Sequence, residues 1–198
     1  MMLDAALKAL NIPTAKFEVA SSIKDAERFA KKFGFPVVLK LISTKVSHKT
    51  EAGGVIVARD PAQLREAATK LAKQGKILVQ EFCEGTEFFI GIKKDATFGH
   101  VLLAGLGGIF VEVYKDVAFR VCPITRNDAE SMLDELKGKA ILAGVRGQKP
   151  INRKALVDAM VLLSELPKKL PNMQELDVNP FIINDKQGVA VDARIVLK

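Results

Sequence analysis

The chain has 198 residues, 48% hydrophobic and 27% charged, a composition that suits a globular protein of one large domain or two small lobes. No apolar run approaches the ~18 residues of a membrane helix, and the first ten residues lack the basic start and long apolar stretch of a secretory signal, so no membrane association is expected. The net charge of +7 favours an anionic partner, yet the chain has no Trp, one Tyr and no gathered basic arm, so a nucleic-acid surface is not supported.

In chain order, residues 16–21 read as a short strand. Ser22 caps a helix whose apolar residues Ile23, Ala26, Phe29 and Ala30 share a face, and Gly34 ends it. Residues 35–43 and 53–59 read as strands. Asp60-Pro61 opens a second helix, which runs to about residue 74, and residues 76–82 form another strand. The expected first lobe, residues 1–83, is therefore α+β with a short N-terminal helix. In the second lobe, residues 84–198, strands are expected over 87–93, 101–106, 109–114 and 117–121. Helices are expected over 127–140 and 152–166, and a final hairpin pairs 173–183 with 189–197.

Cys83 and Cys122 fit no metal or CxxC spacing and read as reduced thiols of a cytoplasmic protein. No P-loop motif occurs, and Gly105-Leu106-Gly107-Gly108 lacks the third glycine of a dinucleotide fingerprint. That cluster reads either as a tight turn or as a backbone cradle for phosphate. Lys40, inside the apolar run Phe35-Pro36-Val37-Val38-Leu39-Lys40-Leu41-Ile42, either snorkels to an edge or meets an anion. His48 sits among lysines, hydroxyls and paired glycines, which suits a solvated loop or an imidazole that carries a phosphoryl group. His100 has no such setting. Glu175, Asp177 and Asn179 alternate along one strand and share a face, with Asp192 on the returning strand. The pattern fits a Mg²⁺ site that keeps waters and phosphates as further ligands, or a polar outer face. Arg194 offers a cation for phosphate or for a carboxylate.

Together, five segments resemble the ATP-grasp domain of ADP-forming acetyl-CoA synthetases, relatives of succinyl-CoA synthetase. They are Phe35-Pro36-Val37-Val38-Leu39-Lys40, Ser47-His48-Lys49-Thr50-Glu51-Ala52-Gly53-Gly54-Val55, and Val79-Gln80-Glu81-Phe82 with Gly85-Thr86-Glu87. The others are Gly105-Leu106-Gly107-Gly108-Ile109-Phe110-Val111-Glu112, and Glu175-Leu176-Asp177-Val178-Asn179-Pro180 with Val191-Asp192-Ala193-Arg194. The resemblance implies an ATP-grasp fold with ATP or ADP and Mg²⁺ bound between two lobes. It implies that Lys40 holds phosphates, that Gln80, Glu81 and Phe82 form the adenine and ribose hinge, and that Glu87, Gly107, Gly108 and Arg194 contribute to the nucleotide site. Asn179 and Asp192 would carry the metal, Asp177 would position a phosphohistidine, and His48 would itself carry a phosphoryl group. Arg146 and Gly147 match an arginine-glycine loop of the group.

The implied reaction converts acyl-CoA, ADP and phosphate reversibly into acid, CoA and ATP. No CoA-binding segment is found, so a partner α subunit in an α2β2 assembly, or an upstream fused domain, is expected to carry it. The alternatives are an ATP-grasp regulatory or interaction module, or another carboxylate ligase that needs no histidine shuttle.

Overall fold

The computed structural model describes residues 7–8, 10–42, 54–145 and 147–198. His48 and Arg146 lie outside the described residues. The chain divides into two compact units, Ala15–Cys83 and Met1–Thr14 with Glu84–Lys198.

In the smaller unit the order is β1 (Phe17–Ala20), α1 (Ile23–Phe33), β2 (Val37–Ile42), β3 (Val55–Ala58), α2 (Pro61–Ala72) and β4 (Lys76–Glu81). The Ser22 hydroxyl accepts from the Asp25 N–H, and Gly34 stops α1 with φ +84°, a region that glycine enters without a Cβ clash. The Asp60 carboxylate accepts from the N–H groups of Ala62 and Gln63 ahead of Pro61, fixing the start of α2. The four strands are antiparallel in the order β1-β4-β2-β3. Ala26 and Ala30 of α1 and Leu64, Ala68 and Leu71 of α2 pack against Val37, Leu39, Leu41, Ile77 and Val79. Both helices thus cover one face of this sheet.

The larger unit contains β5 (Thr86–Asp95), β6 (Gly99–Leu106), α3 (Ile109–Glu112), β7 (Val117–Val121), α4 (Arg126–Glu135) and α5 (Lys139–Leu142). They are followed by α6 (Arg153–Ser164), α7 (Leu166–Lys169), β8 (Met173–Ile183), β9 (Gly188–Ala190) and β10 (Ala193–Leu197). Its sheet is antiparallel in the order β10-β8-β5-β6-β7, with β9 also paired to β8. Phe88, Ile90, Leu102, Ala104, Leu176 and Val178 meet Met132, Leu133, Leu156, Met160 and Leu163 in one core.

Several expectations change. The first lobe was drawn from residue 1, but Leu7, Leu10 and Ile12 are buried in the core of the larger unit, and Thr14 bridges to Ala190. The strand expected over 109–114 is a helical turn: Gly108 reverses the chain at φ +59°, and Val113 and Tyr114 both donate to the Ile109 carbonyl. The helix expected over 127–140 breaks at Leu136, whose ψ is 134°. The next two N–H groups, of Lys137 and Gly138, donate instead to the buried Asp116 carboxylate at 2.9 and 2.8 Å. The helix expected over 152–166 ends at Ser164, and a short α7 follows from Leu166, with Pro167 in its first turn, where the missing N–H cannot continue a longer helix. The returning strand is split into β9 and β10 at Val191 and Asp192.

Candidate functional site

In the larger unit, the core claims Leu176 and Val178 of β8. Alternation therefore puts Glu175, Asp177 and Asn179 on the second face of the sheet. Strand register extends that face sideways. Arg194, Asp177, Gly91, Leu103 and Phe119 form one row across β10, β8, β5, β6 and β7. Val196, Glu175, Lys93, Val101 and Val121 form the next row. At about 4.8 Å per strand, Asp177 lies two strand spacings from Leu103.

Gly91 stands opposite Asp177. A Cβ at Gly91 would lie 2.6 Å from Cζ of Phe89, so the Phe89 ring lies over this glycine, beside Asp177. Burial pushes the Asp177 carboxyl above the ordinary aspartate range, the charges of Glu175 and Asp192 push the same way, and Arg194 opposes them. Its Oδ1 is buried and has no hydrogen-bond partner among the described residues. A buried acceptor left unused in the fold costs stability and is ready for a donor brought by a ligand.

This cost is testable. Because the folded carboxyl is raised, the stability Asp177 lends is full below its unfolded pKa of about 3.9 and is lost as pH rises through the folded value. The variant Asp177→Asn, free of metal and nucleotide, is expected to melt at a higher temperature than the parent at pH 7. The difference should vanish below about pH 4. Thermal melts across this pH range check it, and equal melting temperatures at pH 7 contradict it.

Asn179 donates its N–H to the Asp192 carbonyl at 3.1 Å, and Val191 donates to the Pro180 carbonyl at 3.0 Å. These bonds hold Asn179 and Asp192 side by side where β8 meets the returning chain. Among the described residues, no group of three or more His, Cys, Asp or Glu side chains is placed to hold a metal. One carboxylate and one amide oxygen are a donor set that suits Mg²⁺, a hard cation that keeps waters and phosphate oxygens as its other ligands.

The glycine segment is packed from behind. A Cβ at Gly105 would meet the Asp116 carbonyl at 2.4 Å, and one at Gly107 would meet the Glu87 Cβ at 2.9 Å. The Gly107 N–H donates to the Glu87 carbonyl at 2.8 Å. That N–H is therefore spent on the turn, and a phosphate cradle would have to draw on the backbone from Gly108 onward. The Glu87 carboxylate flanks Gly108, with Oε2 3.7 Å from where a Cβ would stand.

In the smaller unit, Lys40 and Gln80 share the face that the helices leave uncovered. Lys40 pairs with Leu78 and Val55, and Gln80 pairs with Val38 and Phe17, so the two polar side chains lie on a diagonal among apolar neighbours. The Glu81 carboxylate accepts the Lys16 N–H at 2.9 Å, and the Glu81 N–H donates back to the Lys16 carbonyl. The side chain expected near a ribose is thus already tied to Lys16. Phe82 is partly exposed just past the strand end. Burial raises the Cys83 thiol pKa and Glu81 adds to the rise, while Lys40 and Lys16 oppose it. His100 is structural: its ring Nε2 lies 2.7 Å from the Met173 carbonyl.

The sequence model of the ATP-grasp domain matches residues 2–197. The chain is 40% identical to the acetate–CoA ligase [ADP-forming] I subunit beta of Pyrococcus furiosus, over 96% of this chain and 88% of that one. The chain belongs to the ATP-grasp family of ADP-forming acetate–CoA ligase beta subunits. Against the ADP-forming acetate–CoA ligase I of Archaeoglobus fulgidus, this ATP-grasp chain is 36% identical over 96% of its length but spans 30% of the longer protein. It also superposes, with a TM-score of 0.85 and 38% identity, on 97% of its length and 88% of the matched chain in a structure of Candidatus Korarchaeum cryptofilum acetyl-coenzyme A synthetase 1. That structure holds coenzyme A and Mg-AMPPCP, with its phosphohistidine segment pointing towards the nucleotide-binding site. The ATP-grasp ligase family and the α+β fold expected from sequence are thereby established. Among the described residues, no helix is long and apolar enough to cross a membrane.

Proposed function

We propose that this chain is the nucleotide-binding β subunit of an ADP-forming acyl-CoA synthetase, completed in the cytoplasm by a CoA-binding α subunit in an α2β2 assembly. The observation that supports this most is the second face of the six-stranded sheet. There Asp177 carries a buried acceptor oxygen with no hydrogen-bond partner among the described residues, and Asn179 and Asp192 offer a magnesium donor pair nearby.

In the energy-conserving direction, a phosphate oxygen attacks the acyl carbon, the C–S bond breaks, and CoA leaves with a proton. An imidazole nitrogen then attacks phosphorus, and the acid leaves as its carboxylate. Finally a terminal oxygen of ADP attacks the phosphohistidine, the P–N bond breaks with its electron pair left on the ring nitrogen, and the imidazole returns neutral, still carrying its one N–H. In this chain, Lys40 supplies a fixed positive charge to the phosphates. Asp177 accepts from the ring N–H of the incoming phosphohistidine and so orients the nitrogen that bears phosphorus. Arg194 faces Asp177 and balances its charge. Asn179 and Asp192 would hold Mg²⁺, which when bound neutralises phosphate oxygens. His48 serves as the chain's own phosphoryl carrier.

The test is an assay of the chain with and without the subunit that co-purifies with it from the native cell, using ADP, phosphate and a panel of acyl thioesters. The chain alone should bind Mg-ADP and make no ATP, and the complex should make ATP. A complex that makes no ATP from any thioester contradicts the reading. Truncating Lys40 to alanine should weaken Mg-ADP binding by about 1.5–3 kcal/mol, the worth of one charged hydrogen bond, or about 10- to 150-fold. Calorimetry checks this, and unchanged affinity would remove Lys40 from the site.

A further inference from the structure

Beside the glycine segment stands an apolar surface that the reaction above does not use. Ile109, Val113 and Tyr114 are 60%, 68% and 66% exposed. A single exposed apolar side chain is ordinary, but three within one turn are not. The turn is also held rigidly. Val113 and Tyr114 donate to the Ile109 carbonyl at 2.9 and 3.2 Å. Phe110 between them packs against the core, and the Tyr114 ring is braced on it with centroids 6.2 Å apart. The chain leaving the turn is anchored by Asp116, whose N–H donates to the Phe110 carbonyl and whose carboxylate binds two N–H groups at the α4–α5 corner.

We propose that the turn from Ile109 to Tyr114 is the surface on which the phosphohistidine-bearing segment of the CoA-binding partner lands when it exchanges a phosphoryl group at the nucleotide site. The inference rests on the function proposed above. The surface follows directly on Gly107 and Gly108, which pack on Glu87, so it borders the proposed nucleotide-binding edge. The occupant comes from the relatives. The Archaeoglobus ligase has more than twice this domain's length in addition to it, and the Korarchaeum structure has a phosphohistidine segment pointing towards the nucleotide-binding site. In the Korarchaeum enzyme a phosphohistidine segment thus comes to a nucleotide-binding site, and the longer ligase has chain outside this domain that could supply such a segment. A small preformed apolar platform suits that task. It needs little ordering on contact, and three side chains suit a transient contact better than a permanent interface.

The test uses the chain in complex with its co-purified partner subunit and Mg-ATP labelled at the γ-phosphate. The readout is acid-labile label arriving on the partner chain, alongside Mg-ADP affinity. The variant Ile109→Ser/Val113→Ser/Tyr114→Ser should bind Mg-ADP within about twofold of the parent while labelling of the partner slows at least about tenfold, as expected if transition-state positioning is lost and nucleotide binding is kept. The conservative set Ile109→Val, Val113→Ile and Tyr114→Phe should restore labelling. Phe98→Ser, at an aromatic residue 65% exposed in the β5–β6 turn, should leave labelling unchanged. Partner labelling at the parental rate in the serine variant overturns the proposal. So does an equal fall in Phe98→Ser, or a homodimer of the chain that the serine variant dissociates, which would make a second copy the occupant. Failure of the parent to bind Mg-ADP would instead overturn the nucleotide-subunit reading on which the proposal stands.

Discussion

Changing His48 to alanine is expected to abolish acid-labile phosphorylation of this chain by Mg-ATP and to lower turnover of the complex by about 10³-fold or more, the scale seen when a covalent nucleophile is removed. The reason is chemical. A neutral imidazole attacks phosphorus near pH 7 and departs readily once protonated, which lysine and carboxylate side chains do less well in both directions. His48 is one of two histidines, and the other, His100, has its ring at the Met173 carbonyl. The carrier proposed within this chain is accordingly His48. Mg-ADP affinity should change little, because the carrier meets phosphorus only during transfer. Label retained at the parental level in His48→Ala would remove His48 as carrier and favour a carboxylate ligase that needs no shuttle.

The second large effect is expected at the β8–β10 ribbon. Asp192→Asn should weaken Mg-ADP binding by about 100-fold, as for a disturbed metal site, and weaken metal-free ADP binding far less. The change keeps the size of the side chain but removes the charge that a hard cation requires. Asn179, whose N–H is bonded to the Asp192 carbonyl, should stay in place, because that bond uses backbone atoms. Titrations of ADP with and without Mg²⁺ separate the two terms. An equal loss in both would mean that the ribbon does not hold the metal.

Much of this was legible because local chemistry and tertiary structure agree. Ser22, Gly34 and Asp60-Pro61 mark helix ends by hydrogen bonds that the chain makes within a few residues, so they can be read from sequence. The alternation of Glu175, Asp177 and Asn179 likewise survives, since period two is a property of the strand itself. What failed depends on distant partners. Residues 109–114 are rich in β-branched and aromatic side chains and read as a strand, but a positive φ at Gly108 and the Asp116 anchor fold them into a turn. The break after Glu135 arises because a carboxylate 21 and 22 positions earlier takes the N–H groups the helix needed. Leu7 and Leu10 joined the larger unit through contacts that no local pattern encodes.

The site shows the same division. The register that sets Gly91 against Asp177 was invisible, although a glycine inside the apolar run Phe88-Phe89-Ile90-Gly91-Ile92 is a recognisable sign of close approach in a strand. Nor did the sequence reveal that the Gly107 N–H and the Glu81 carboxylate already have partners within the fold. Both findings narrow how these two residues can serve a nucleotide.

A magnesium nucleotide bound on the second face of the six-stranded sheet, at Asn179 and Asp192, underlies every step proposed for this chain. The most direct measurement is a crystal structure of this chain with Mn²⁺ in place of Mg²⁺ and a non-hydrolysable ATP analogue, read by anomalous scattering at the manganese edge. An anomalous peak bonded to the Asn179 and Asp192 side-chain oxygens and to the nucleotide phosphates is expected. A peak bonded to neither residue, with the nucleotide in place, would contradict it.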